Sequence, residues 1–157
     1  MWSMYTKHSS EARSAPTVSG TLSSCAGHSG LVVIAVPADE RHVSAVRHRV
    51  AACLDAWRIS LDDQVAVVLI VGELAANAAL HGRDDMTVMI GVSVADVHIH
   101  VIDSGGTAGS REQEIDEDEH GRGLNIIRCL AQSVRWHSDA ARTWVHVDYC
   151  LGGVQRT

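Results

Sequence analysis

The 157-residue chain contains no phenylalanine, only two prolines and a single lysine, Lys7, among its 13 basic residues. Aromatic residues make up 4%, so any core must be assembled from Val, Ile, Leu and Ala. Positive charge is scarce: the formal net charge is -6. Binding to a phosphate backbone depends on clustered Lys and Arg, so direct nucleic-acid binding is not expected, and neither is attraction to an anionic membrane surface. No CxxC pair occurs among Cys25, Cys53, Cys129 and Cys150. Cys53 and Cys129 fall inside apolar helical patterns, where a buried free thiol is the usual state, so the expected setting is a reducing cytoplasm. No run approaches the roughly 18 apolar residues of a membrane span, and the N-terminus lacks the apolar core of a secretory signal.

What is present is a globular composition, 46% apolar and 20% charged, in a length that suits one domain without metals or disulfides to hold it. Residues 1–29 are rich in Ser, Thr and Gly with neither a strand nor a helix period, and are expected to be a disordered tail. The domain is expected over 30–152, with a short C-terminal tail at 153–157. "LVVIAVPA" (31–38) is a β-branched run closed by Pro37 and predicts a strand. Val43, Val46, Val50, Cys53, Leu54 and Trp57 then recur at helical spacing, with Asp39 available as N-cap. Ser60 and Asp63 resemble a capping box ahead of a second helix that ends at His81-Gly82. "MTVMIGVSVAD" and "VHIHVID" alternate as a hairpin turning near Ala95-Asp96. A glycine-rich, then acidic segment follows and reads as a long loop. A helix is predicted over 123–134, and two strands, "VRWHSD" and "TWVHVDY", close the domain. The order β-α-α-β-β-loop-α-β-β predicts an α+β fold, a two-layer α/β sandwich with helices on one face of a mostly antiparallel mixed sheet.

Within the second helix, "LIVGELAANAALHG" threads Glu73, Asn77 and His81 through an apolar run at intervals of four. Residues four apart share one helix face, so these three form a polar stripe on an otherwise apolar helix. A carboxylate one turn from a carboxamide suits a magnesium-nucleotide site, because Mg²⁺ takes few protein oxygens and keeps water and phosphate as its other ligands. His81, in the last turn, fits two roles equally: a partner for the helix-end carbonyls and dipole, or a ligand contact. "VIDSGG" ends a strand in Asp103 before glycines that permit close approach of a flat ligand. "HGRGLNII" leads glycines into a helix start, where unpaired N–H groups favour phosphate.

Taken in order, these motifs resemble the GHKL ATP-binding superfamily, and within it the anti-sigma-factor serine/threonine kinases. "ELAANAALHG" is similar to that family's E-L-x-x-N-A-x-x-H-G box, "DSGG" to its first glycine box and "EHGRGLNII" to its second. The resemblance implies ATP and Mg²⁺ as cofactors. It implies Glu73 as activator of a substrate hydroxyl, Asn77 as the Mg²⁺ ligand, Asp103 as acceptor from the adenine amino group, and Gly105 as the residue giving the base room. Gly121 and Gly123 are implied at the phosphates and Thr143 near the adenine, with Leu124 beside them and Arg122 either touching phosphate or solvated. The implied partners are a sigma factor and an anti-anti-sigma (antagonist) protein, in transcription regulation by partner switching, and a homodimer is allowed. Two rival functions stay open, a non-catalytic ATP-binding module that sequesters a partner and a detached sensor histidine-kinase ATPase domain. Two departures are visible: D-S-G-G-T stands for D-x-G-x-G, and Asp118 stands where a fuller second box has glycine. Finally, His98, His100 and His146 alternate on strands, but no zinc-site spacing accompanies them, so with Asp148 they are expected to line the polar outer face of the sheet rather than a metal.

Overall fold

The computed structural model describes residues 17–24, 29–81, 84–104, 121–139 and 141–152. The order of elements is β1 (Thr17–Ser24), β2 (Ser29–Pro37), α1 (Glu40–Ala56), α2 (Leu61–His81), β3 (Asp85–Val92), β4 (Asp96–Ser104), α3 (Gly121–Leu130), β5 (Ser133–Ser138) and β6 (Arg142–Cys150). The strands form one six-stranded sheet in the order β1-β2-β3-β4-β6-β5. Every pairing between them is antiparallel, so the sheet is not mixed among the described residues.

The alternation read from the sequence decides which face is covered. Val32, Ile34 and Val36 of β2, Met86, Val88 and Ile90 of β3, Val97, Ile99 and Val101 of β4, and Val145 and Val147 of β6 are all buried. They meet Val46, Val50 and Leu54 of α1, Val67, Ile70, Val71 and Leu74 of α2, and Ile127 of α3 in a single core. Three helices on one face thus supply the apolar layer that a Phe-free sequence must build from aliphatic side chains. Asp39 caps α1 as expected, its carboxylate accepting the Arg41 N–H at 2.9 Å.

Cys129, expected to be a buried thiol, is exposed, and three further expectations are corrected. Thr17–Ser24, assigned to the tail, forms β1 and pairs with β2, with a register irregularity between Ser19 and Leu22. The edge of β2 offers unpaired backbone groups, and a ladder can recruit a segment whose side-chain pattern signals nothing. The helix predicted over 123–134 covers Gly121–Leu130, and Ser133 already pairs with Asp148. The third concerns membrane spans: Leu61–His81 is long and apolar enough for one, with mean hydropathy 1.5. In the fold this helix is a core element, its face of Val67, Ile70, Val71, Leu74, Ala75 and Ala78 buried with the sheet.

Candidate functional site

The start of α2 is fixed to the far end of the sheet by one carboxylate. Ser60 Oγ accepts the Asp63 N–H at 3.3 Å, the expected cap, and donates to Asp63 Oδ2 at 2.6 Å, so the carboxylate meets the Ser60 hydroxyl in place of the backbone N–H of a full capping box. Asp63 is also buried, accepting the Tyr149 hydroxyl at 2.8 Å and the Gly152 N–H at 3.1 Å. Gly152 adopts a positive φ of 84°, a backbone conformation in which glycine carries no steric cost. Burial pushes the Asp63 carboxyl up, but its hydrogen bonds from Ser60, Tyr149 and Gly152 outweigh that and hold it below the usual carboxylate range. The Ser60 cap was visible in the sequence, whereas the partners 86 and 89 positions away were not.

From that anchor α2 runs to His81 with Glu73 and Asn77 half-buried and His81 exposed at its end. Glu73 stands against the first turn of α3: a Cβ added at Gly123 would lie 2.5 Å from Glu73 Oε2. Glycine at 123 is therefore what lets the carboxylate reach the helix start. At the other end of the stripe His81 lies close enough for its charge to act on Asp103. Two turns and a little more of helix separate Glu73 from His81, a rise of about 12 Å.

Asp103 and Thr143 face each other across β4 and β6, with the parity of Val101 and Val145, which places both on the helix-covered side. The Asp103 carboxyl accepts a hydrogen bond from the Thr143 backbone. Burial pushes the Asp103 carboxyl above its ordinary range, against the opposing effects of that hydrogen bond and of His81. The result is one row of groups: Gly123, Glu73, Asn77, His81, Asp103, Thr143. Arg122 is exposed on the first turn of α3, while Leu124 is packed against the core. Gly121 opens α3. Gly105 and the acidic loop lie outside the described residues.

The two ends of this row differ in chemistry. The half-buried carboxyl at Asp103 is a specific acceptor at one end. At the other lies the glycine-lined start of α3, the positive end of a helix dipole. The model of the histidine kinase-like ATPase domain family matches residues 36–148, from the end of β2 through nearly all of β6. The chain belongs to that family. No curated protein matches it by sequence. As a histidine kinase-like ATPase domain of GHKL type it is an ATP-binding domain, and its α+β sheet-and-helix architecture is that of the family.

Sequence reasoning also missed a second convergence on the opposite side of the sheet. His98, His146 and Asp148 do line the outer face, as expected, but they also meet there.

Proposed function

We propose that this chain is a protein serine/threonine kinase of the anti-sigma-factor type. In this reading it transfers the γ-phosphate of ATP to a hydroxyl of an antagonist protein, holds a sigma factor as its alternative partner, and so regulates transcription in the cytoplasm. The observation that supports phosphotransfer over sequestration alone is the Glu73 carboxylate, brought to the α3 helix start by the absence of a side chain at Gly123. A module that only binds a partner has no use for a base at that place.

ATP, when bound, supplies the phosphoryl group; the chain supplies position and charge. Asp103, braced by the Thr143 backbone, accepts from the adenine amino group. The backbone N–H groups at the start of α3, with Arg122 exposed beside them, take the phosphates. Asn77, one turn from Glu73, offers its carboxamide oxygen to Mg²⁺. Glu73 takes the proton from the incoming hydroxyl, help that is typically worth about 10²- to 10⁴-fold in rate.

The test is phosphate transfer to a co-purified antagonist, measured beside ATP affinity. Glu73→Gln keeps size and helix, so ATP affinity should hold while transfer falls by about 10²- to 10⁴-fold. Asn77→Ala should lose the Mg²⁺-dependent part of the affinity. Gly123→Ala should displace the flexible end of Glu73 and depress transfer with little change in stability. Transfer undiminished in Glu73→Gln would remove the base from the mechanism. ATP binding by the wild type without any transfer would favour the sequestering module.

A further inference from the structure

The outer face of the sheet, away from the helices and from the ATP site, carries a side-chain cluster that nucleotide chemistry does not use. Antiparallel register sets His98 opposite Asp148 and His100 opposite His146 across β4 and β6. It also sets Ser133 opposite Asp148 and Arg135 opposite His146 across β5 and β6. All six have the parity opposite to buried Ile99 and Val147. His98 Nδ1 and His146 Nε2 each lie 2.7 Å from the same oxygen, Asp148 Oδ1. One potential ligand atom from each of the three residues falls within 4.8 Å of the others.

Around these three stands a second ring of contacts that fixes their orientation. Asp148 Oδ2 accepts from Ser133 Oγ at 2.6 Å and from the Arg135 guanidinium at 3.0 Å, leaving Oδ1 turned to the imidazoles. His146 Nδ1 lies 2.8 Å from His100 Nε2. In the tautomer that frees His146 Nε2 as a lone-pair donor, Nδ1–H donates to His100, the kind of outer hydrogen bond that orients metal-ligating histidines. The backbone beneath is the paired interior of the sheet rather than a loop, so the donors are held in place before any ion arrives.

We propose that His98, His146 and Asp148 form a binding site for a divalent transition-metal ion, with zinc as the best fit. Two imidazoles and one carboxylate are the donors that borderline-soft ions take, whereas Mg²⁺ and Ca²⁺ prefer oxygen alone. Three protein donors leave a coordination position for water or an outside ligand. Donors on an ion with bonds near 2.0–2.1 Å sit about 3.3 Å apart in a tetrahedral arrangement, so each imidazole nitrogen, now 2.7 Å from Asp148 Oδ1, must draw back from it by about 0.6 Å. Both imidazoles must make that adjustment, His98 with the more room, its side chain 44% exposed against 19% for His146. Arg135 is the group that opposes loading, because its guanidinium shares the Asp148 charge. The ion would tie β4 to β6 on the face the helices leave bare.

The experiment uses the full chain, stripped with a chelator, and titrates ZnCl₂ by calorimetry and CoCl₂ by visible absorption. The expected result is one saturable equivalent, with cobalt bands of a nitrogen/oxygen site. His98→Ala should weaken binding by more than about 100-fold, and His100→Ala, which removes only orienting support, by about 10-fold. Arg135→Gln should bind more tightly. Asn77→Ala should bind as the wild type does, separating this ion from nucleotide-bound Mg²⁺, and exposed His137→Ala should be equally silent. His98→Gln with a wild-type circular dichroism spectrum serves as the ligand-deleted variant if the alanine form misfolds. Absence of saturable uptake, uptake undiminished in either His98 variant, or a cobalt–thiolate charge-transfer band would each overturn the site.

Discussion

Asp103 carries a conflict between stability and binding that can be read at the scale of one residue. Its carboxyl is half-buried, and burial raises its pKa above the unfolded value despite the Thr143 hydrogen bond and the nearby His81. A carboxyl whose folded pKa is raised costs nothing at low pH, where it is protonated in both states. As pH rises through the folded value, ionisation is resisted, and stability is lost. Ionisation of Asp103 in the ligand-free chain is therefore unfavourable to folding. Asp103→Asn keeps an oxygen for the Thr143 backbone and removes the charge. Its unliganded melting temperature is expected to rise by about 1–2 °C, while ATP affinity falls by about ten- to a hundredfold as a charged hydrogen bond is lost. Thermal melts of both proteins with and without Mg-ATP check this. A variant less stable than wild type without ligand would show that Asp103 is structural rather than held at a cost for binding.

Among the elements, α2 matters most, and its attachment to β6 through Asp63 is the connection on which the polar stripe depends. Asp63→Ala would leave the buried Tyr149 hydroxyl and the Gly152 N–H without their acceptor and take away the carboxylate to which the Ser60 hydroxyl donates. The expected loss is about 2–4 kcal/mol, read from urea unfolding. Because the folded pKa of Asp63 is lowered, its contribution is complete above the ordinary carboxylate range and disappears as pH falls through the folded value. Wild-type stability should accordingly fall more steeply below about pH 4 than that of Asp63→Asn, and parallel acid profiles would contradict the assignment. These same elements mark how far the sequence could be read. Alternation at Val32–Val36 and Val88–Val92, the Asp39 and Ser60 caps, and the four-residue spacing of Glu73, Asn77 and His81 are local signals, and each proved to be where the pattern placed it. β1 was not legible, because an edge strand needs only backbone partners and its Ser/Thr/Gly composition resembles a linker. Tyr149 on Asp63, Gly123 on Glu73 and two imidazoles on one oxygen of Asp148 were not legible either. Each depends on register or packing between segments tens of residues apart, and no short spacing encodes that.

At the scale of the whole molecule the governing quantity is charge. The chain carries a formal net charge of -6, and Glu112, Glu114, Asp116, Glu117, Asp118 and Glu119 immediately precede in sequence the α3 helix start, where the proposed function puts the phosphates. ATP arrives as a polyanion. A cationic protein loses phosphate ligands as salt screens the attraction; here screening relieves repulsion, and the sign reverses. The Debye length shrinks from about 30 Å at 0.01 M to about 8 Å at physiological ionic strength, so long-range repulsion between like charges is screened over that interval. Mg-ATP affinity, followed by calorimetry and by the ligand-dependent rise in melting temperature, is expected to increase over that range. Glu117→Gln/Glu119→Gln should bind ATP more tightly than wild type at low salt and respond less to added salt, since two of the repelling charges are gone. Should the double variant match wild type at every ionic strength, the acidic run would act at a distance from the phosphates. The salt dependence would then belong to the net charge of the domain.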